Sequence, residues 1–205
     1  MNKSLIVGVI GLTLVLLVSG CSFDQMIEKV SPQAKGVILY GNEATVNKDI
    51  DDNRESLKSS DTYTIKVNQD DKNKIIIMNK KTAKDLVSKG LLQKVKDDPE
   101  NADQTEPIDS LPKVTKETPI LFASKEVDNL EVGEKQYDVS YKGNVIIGDG
   151  RSYADSFMVV DDSIWDAVDG EKKTVGVLHF DEDHNPKKKM IDFKAEQSQL
   201  VSLDD

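Results

Sequence analysis

Short, continuous apolar runs bounded by polar turns restrict the fold of this chain more than any other feature. The runs "GVILY" at 36–40, "IIIM" at 75–78 and "FMVV" at 157–160 carry no polar side chain that would face water. Such runs are typical of strands that are buried on both faces of a sheet. Stretches with helical spacing lie between them. The sequence therefore predicts a mixed α+β fold in which helices cover sheets.

The first of two predicted lobes covers residues 36–95. A helix follows the first strand, with Val46, Ile50 and Leu57 at helical spacing among charged residues. A half-buried strand and a buried strand come next. The segment "TAKD" at 82–85 resembles a capping box that begins a second helix. The order strand, helix, strand, strand, helix predicts a small α/β lobe.

Residues 96–119 interrupt this pattern. Four of the six prolines fall in this segment, and seven of its residues are Asp or Glu. A segment of this composition buries too little apolar surface to offset the entropy lost on ordering. We therefore predict an exposed acidic linker that contains proline. We expect Ile108, Leu111 and Val114 to dock part of it on the body.

The second predicted lobe covers residues 120–205 and consists mostly of strands separated by turns. Asp162 or Ser163 is expected to cap a short helix that carries Trp165, the sole tryptophan. The end of the chain is expected to form a last strand and a helix, with Ile191 among the buried residues. The predicted architecture is two small mixed-sheet lobes joined by the linker.

Residues 1–20 have the pattern of an export signal. Lys3 gives a positive start, and the apolar run from Leu5 to Val18 follows it. This run is shorter than the ~20 apolar residues that a membrane-spanning helix needs. It suits the apolar core of a secretory signal peptide.

The end of this run, Val18-Ser19-Gly20-Cys21, resembles the lipobox of bacterial lipoprotein signals. The resemblance implies cleavage between Gly20 and Cys21, and a diacylglyceryl group, often with palmitate, on the Cys21 thiol. The alternatives are an ordinary membrane anchor or a soluble signal with a chance cysteine. We expect the attached lipid to hold the chain at the outer face of the bacterial cell membrane, with residues 21–35 as a tether.

The single cysteine and the acidic charge exclude several classes of function. Once Cys21 carries lipid, no other cysteine remains for a disulfide, a catalytic thiol or a thiolate metal site. The formal net charge of −10 makes nucleic acid an unexpected partner. The local run 187–189 is basic, and after Pro186 it is expected to form a solvated turn, with an anion site as the alternative. No cofactor is expected.

Both histidines lie in the segment "HFDEDH" at 179–184. On a strand, His179 and Asp181 would share one face and Asp183 would extend it. Together with His184, these residues are candidate ligands for zinc or manganese. The alternative is a strand that ends in a polar turn. No G-x-S-x-G elbow or phosphate-binding loop motif is present.

Two resemblances extend beyond the lipobox. The segments "GVILYGNEA", "IIIMNKKTAKDL" and "DSFMVVDDSIWDAV" resemble a family of uncharacterised lipoproteins from Gram-positive bacteria of the Bacillus and Enterococcus type. In the second half, "LEVGEKQYDV" with "SFMVVDDSIWDAV" is similar to the extracellular domains of MacB/FtsX-type permeases. That resemblance implies two α/β lobes and a scaffolding role beside a transporter.

The sequence supports three hypotheses about function. The first is a non-catalytic accessory or sensor domain that acts through protein contacts at the membrane, with a permease or sensor subunit as partner. The second is a module that binds a small ligand or ion between the two lobes. The third is a metal-dependent hydrolase that uses His179, Asp181, Asp183 and His184.

Overall fold

The structure is a computed structural model that describes residues 34–69, 73–96, 104–148, 150 and 153–203. The predicted signal peptide, the lipobox residues Val18, Ser19, Gly20 and Cys21, and most of the tether lie outside the described residues. The helices of the described part are α1 (Glu43–Asn53), α2 (Lys80–Ser88) and the 3-10 helices Arg54–Ser56, Asp162–Ala167 and Pro186–Lys189. The strands are β1 (Gly36–Gly41), β2 (Leu57–Gln69), β3 (Lys74–Asn79), β4 (Leu92–Val95), β5 (Thr105–Pro107), β6 (Ile120–Ala123), β7 (Asn129–Val132), β8 (Lys135–Asp138), β9 (Ser140–Tyr141), β10 (Val145–Ile147), β11 (Ser156–Val160), β12 (Glu171–Phe180) and β13 (Gln197–Val201).

The main sheet, in the part of the chain that the structure describes, has eight strands in the order β13-β1-β12-β2-β3-β11-β6-β9. The β3–β11 and β6–β9 pairs are parallel, and the other pairs are antiparallel. Smaller sheets are formed by β10-β4-β5 and by the hairpin β7-β8. The predicted mixed α+β class is confirmed.

The sequence predicts two lobes that each have their own sheet, whereas strands of both predicted lobes pair with each other in the structure. Strands β2 and β3 of the first predicted lobe pair with β12 and β11 of the second. The smaller sheet likewise joins β10 to β4. The residues on each side of the predicted linker therefore share their sheets, because a strand that is apolar on both faces needs neighbours on both edges as well as covering layers.

Helices cover both faces of the main sheet. Val46 and Ile50 of α1 pack with Leu178 and Phe180 in one buried cluster. Leu86 of α2 lies in another cluster, together with alternate residues of β12 and β1 on the opposite face. Every residue of β1 and of β11 is buried, as their apolar runs predict.

The helix ends differ from the predicted ones. Leu57 lies in β2 rather than in α1, because α1 ends at Asn53 and Leu57 pairs with Phe180 of β12. Helix α2 begins at Lys80 and not at the expected capping box. Asn79 caps it by accepting a hydrogen bond from the Thr82 N–H at 2.8 Å.

The linker and the end of the chain are partly as predicted. Val114 is buried, and Ile108 and Leu111 pack against the main cluster, so their predicted docking is confirmed. Asp161, rather than Asp162 or Ser163, caps the short 3-10 helix. The expected last helix is replaced by the 3-10 turn and β13. Ile191, which was predicted to be buried, is 84% exposed, because the chain turns outward between buried residues on each side of it.

Candidate functional site

A polar cavity of about 340 Å³ lies between β2, β12 and the end of α2. Its volume is at the small end of the range for ligand pockets. The residues that line it are Ser59, Asp61, Ser88, Lys89, Gly90, Val177, His179 and Leu203. Residues from both predicted lobes therefore form one polar cleft.

The pairing of β2 with β12 places the polar side chains on the wall of this cavity. Ser59 pairs with His179, and Asp61 pairs with Val177. Residues directly opposite each other on antiparallel strands project from the same face, as do residues two apart on one strand. The register therefore directs Ser59, Asp61 and His179 to one side of the sheet. His179 is buried, with 9% of its surface exposed.

The third wall is the C-terminal end of α2. Gly90 adopts a left-handed conformation with φ of 67°. The Gly90 N–H donates to the carbonyl of Val87 at 2.9 Å, and the Leu91 N–H donates to that of Leu86 at 2.9 Å. This Schellman motif ends the helix at the cavity, where Ser88 and Lys89 present their polar side chains.

An ion pair crosses the rim of the cavity. The ammonium of Lys89 lies 2.8 Å from a carboxylate oxygen of Asp61, and both side chains are partly exposed. Burial, together with the charges of Asp61 and Asp85, raises the pKa of the neighbouring Tyr63 to about 12. The cavity thus offers a cation, an anion, hydroxyls and an imidazole within one cleft. A small molecule with both hydrogen-bond donors and acceptors fits this chemistry.

A second cavity, of about 320 Å³, lies near the start of β12 and has a different character. The Lys173 ammonium lies 2.8 Å from Glu171 and 2.7 Å from Glu196. The Tyr153 hydroxyl donates to Glu196 at 2.9 Å, and Lys74 lies 3.5 Å from the centre of the Tyr153 ring. These charges are matched to each other, so the cluster serves as a clamp between segments of the chain.

The clamp changes the pKa values of its members. Burial raises the pKa of Tyr153, and its hydrogen bond to Glu196 raises it further. Burial alone would raise the pKa of Glu196, but the hydrogen bonds from Lys173 and Tyr153 lower it below its usual value. Hydrogen bonds to Glu171 and Glu196 raise the pKa of Lys173. Glu196 is the carboxylate of this cluster whose pKa is lowered, so the cluster loses this negative charge only at acidic pH.

The four residues proposed as metal ligands occupy different environments. His179 is buried on β12, whereas Asp181 lies beyond the end of that strand. His184 Nδ1 lies 2.6 Å from a carboxylate oxygen of Asp181, and Asp183 is exposed in the same turn. Within the described residues, no three His, Cys, Asp or Glu side chains are grouped to hold a metal. A polar turn after the strand describes this segment better.

The comparisons with known proteins identify the family. The profile described as an uncharacterised lipoprotein family matches residues 34–204. The chain belongs to this family. The lipoprotein is also similar to a 1.5 Å crystal structure of a protein assigned as a lipoprotein of Bacillus anthracis, with 31% identity and a TM-score of 0.74. That match covers 83% of this chain and 100% of the other. No curated protein matches the lipoprotein.

Family membership gives the class of the protein. Lipoproteins are held at a membrane surface by covalently attached lipid. The described part of this lipoprotein contains no helix that is both long enough and apolar enough to cross a membrane. The similarity of its second half to permease domains stays a prediction.

Most residues of the polar cavity carry no recognisable signal in the sequence. Ser59, Asp61, Ser88 and Lys89 stand in unremarkable polar stretches of the sequence. Only the strand register and the helix end bring them together with His179. The one local signal is Gly90, whose position after an amphipathic stretch marks a helix end.

Proposed function

We propose that this lipoprotein is a non-catalytic binding protein at the outer face of the bacterial cell membrane, anchored through lipid on Cys21, and that it captures a small polar ligand as a sensor or accessory component. The observation that supports binding is the cavity in which Asp61, Lys89 and the buried His179 converge. Clefts in which a few polar groups converge are the usual sites of small-molecule recognition.

The position of the cavity suits a sensor. Its walls come from β2 and α2 in the first half of the chain and from β12 in the second half. A ligand that bridges these elements would stabilise their packing by RT ln(1 + [L]/Kd). A partner protein in the envelope could detect this ligand-dependent change in how firmly the elements pack.

The test is a thermal-shift screen of the acylated protein in detergent against free amino acids, dicarboxylates and other small polar metabolites. Asp61→Asn and Ser59→Ala should remove any stabilisation that a metabolite gives to the wild type. Glu171→Gln, at the second cavity, is the matched control and should keep it. Stabilisation that survives Asp61→Asn and Ser59→Ala would place the ligand elsewhere and contradict the proposal.

Contact with a membrane protein is the second candidate function, and the hairpin β7-β8 favours it. The inner side chains of the hairpin, including Val132 and Tyr137, pack on the body, while most of its other residues are exposed. Among the residues that the structure describes, β7 and β8 pair only with each other, and an exposed hairpin of this kind suits pairing with a partner strand. Cross-linking in cells, with Cys21→Ala as control, tests it. Capture of one permease or sensor subunit that requires Cys21 would support this candidate, and its absence would contradict it.

The metal-dependent hydrolase, the third hypothesis from the sequence, gains no support from the described residues. It needs the four residues at 179–184 to converge on an ion, which their places in β12 and the following turn do not favour. Metal analysis of the purified protein tests it directly. A stoichiometric zinc or manganese ion lost on His184→Ala would revive this candidate.

A further inference from the structure

Ile191 is an exposed apolar side chain beside a run of lysines. It is 84% exposed, compared with 39% for Val127, the other exposed large hydrophobic residue of the described part. The 3-10 helix Pro186–Lys189 carries Lys187, Lys188 and Lys189 directly before it. Lysines beside an exposed large apolar side chain are typical of surfaces that lie against the headgroups of a bilayer.

Buried residues on both sides fix the position of this segment. Pro186 is buried before it, and Phe193 is buried after it in the cluster under α1. The Lys194 N–H then donates to the buried carboxylate of Asp49 at 2.9 Å. Residues 187–191 therefore form a fixed protrusion rather than a loose loop.

Residues 187–191 lie near the place in the fold where the predicted tether joins the body. The Phe180 N–H donates to the carbonyl of Lys35 at 2.8 Å, so the start of the described chain lies against the end of β12. Ala34 is buried in the same cluster as Phe193, against which Met190 packs. Covalent geometry limits the span from Cys21 to Ala34 to about 45 Å. A lipid on Cys21 would therefore hold this end of the body within about 45 Å of the bilayer.

We propose that residues 187–191 are a membrane-contact surface that binds anionic phospholipid headgroups through the three lysines and inserts Ile191 between them. The proposal rests on the lipid attachment proposed above. Each lysine near an anionic surface favours binding by about fivefold, and salt weakens the attraction. Glu182, Asp183 and Asp192 oppose it, so the contact depends on the high local concentration that the anchor provides. Its effect is to set the orientation of the body on the membrane.

The test places an environment-sensitive fluorophore on Ile191→Cys in the acylated full chain, reconstituted in vesicles of phosphatidylglycerol and phosphatidylcholine. Cys21 carries lipid and does not compete for the label. Val127→Cys is the matched control, since it follows β6 near the opposite edge of the main sheet. We expect a blue shift at position 191 that disappears in pure phosphatidylcholine or 1 M salt, and no shift at position 127. Equal emission at the two positions would overturn the proposal.

Two double charge reversals distinguish lipid binding by residues 187–191 from a general effect of the protein's net charge. Lys188→Glu/Lys189→Glu should abolish the shift at position 191, whereas Lys125→Glu/Lys142→Glu, with the same change in charge, should leave it. Loss of the shift in both pairs would contradict the assignment to residues 187–191.

Sedimentation with the vesicles distinguishes failure of this proposal from failure of the anchor. Protein that sediments in a Cys21-dependent manner without a shift at position 191 would overturn only the membrane-contact surface. Protein that neither sediments nor shifts would overturn both proposals.

Discussion

Asp49 shows how one buried charge joins distant parts of this chain. It lies on α1 with 3% of its surface exposed, and its carboxylate accepts hydrogen bonds from the N–H groups of Lys194 and Ala195 at 2.8–3.0 Å. A buried carboxylate needs such donors, because it loses its hydration on folding. The three bonds fix the segment that leads from the protrusion into β13.

Replacing Asp49 should therefore destabilise the fold. We predict that Asp49→Ala lowers the free energy of unfolding by about 2–4 kcal/mol, since it leaves the partly buried N–H groups of Lys194 and Ala195 without their charged acceptor. The measurement is urea denaturation followed by circular dichroism. Asp52→Ala on the same helix is the control, because Asp52 is exposed and forms a surface ion pair with Lys48, and it should cost less than about 0.5 kcal/mol. Equal losses would contradict this role of Asp49.

Glu196 is a single residue that should make the stability of the fold depend on pH. Burial would raise its pKa, but hydrogen bonds from Lys173 and Tyr153 lower it below the ordinary value of 4.5. A depressed folded-state pKa contributes stability above pH 4.5 that is lost as the pH falls through the folded pKa. Glu196→Gln should flatten the loss of stability between pH 5 and pH 3, by less than about 1 kcal/mol because the group is partly exposed. Unfolding curves across this range check it, and the exposed Glu126→Gln should leave the slope unchanged.

The end of α2 is an element whose shape depends on one glycine. Gly90 has φ of 67°, and a Cβ there would meet nothing closer than Pro107 Cγ at 4.0 Å. Gly90→Ala therefore tests conformation without a clash, and we predict a loss of about 1–2 kcal/mol. Thermal denaturation measures it. Gly150→Ala is the control, since it lacks a positive φ and has open space around it. A neutral Gly90→Ala would argue against the motif that shapes the cavity wall.

Lys66 holds a second element, the 3-10 helix Asp162–Ala167. Its buried ammonium donates to the carbonyls of Trp165 at 2.8 Å and Val168 at 2.6 Å, and burial lowers its pKa. We predict that Lys66→Met costs about 1–3 kcal/mol, because these carbonyls lose their donor.

Tryptophan fluorescence reports this change directly. The chain has one tryptophan, and the Lys66 ammonium lies 4.9 Å from its ring. Lys66→Met should therefore shift the emission of Trp165, whereas Lys94→Met, at an exposed position on β4 in a different sheet, should not. Unchanged emission in Lys66→Met would show that the helix does not need this lysine.

At the scale of the whole molecule, apolar runs predicted the strands, but not how they associate. The runs containing Val37, Ile76 and Val159 are buried as expected. Their order in the sheet depends on pairings between residues more than a hundred positions apart, such as β1 with β12. Local composition carries no record of those pairings. It therefore suggested two lobes where the strands form a common sheet.

The candidate site was harder to predict for the same reason. The sequence pattern groups His179 with Asp181 and Asp183, which are close to it along the chain. The structure instead places His179 with Ser59 and Asp61, across a strand pair. A site built from side chains on paired strands depends on the register, which a single sequence does not reveal.

Histidine side-chain NMR of the acylated protein in detergent, titrated with mixtures of small polar metabolites, tests the binding role most directly. The chain has two histidines, so His179 in the cavity and the exposed His184 give separate signals and an internal control. We predict that at least one mixture shifts the His179 resonances in a saturable manner and leaves those of His184 in place. Resonances of His179 that no mixture moves, or that move only together with those of His184, would contradict it.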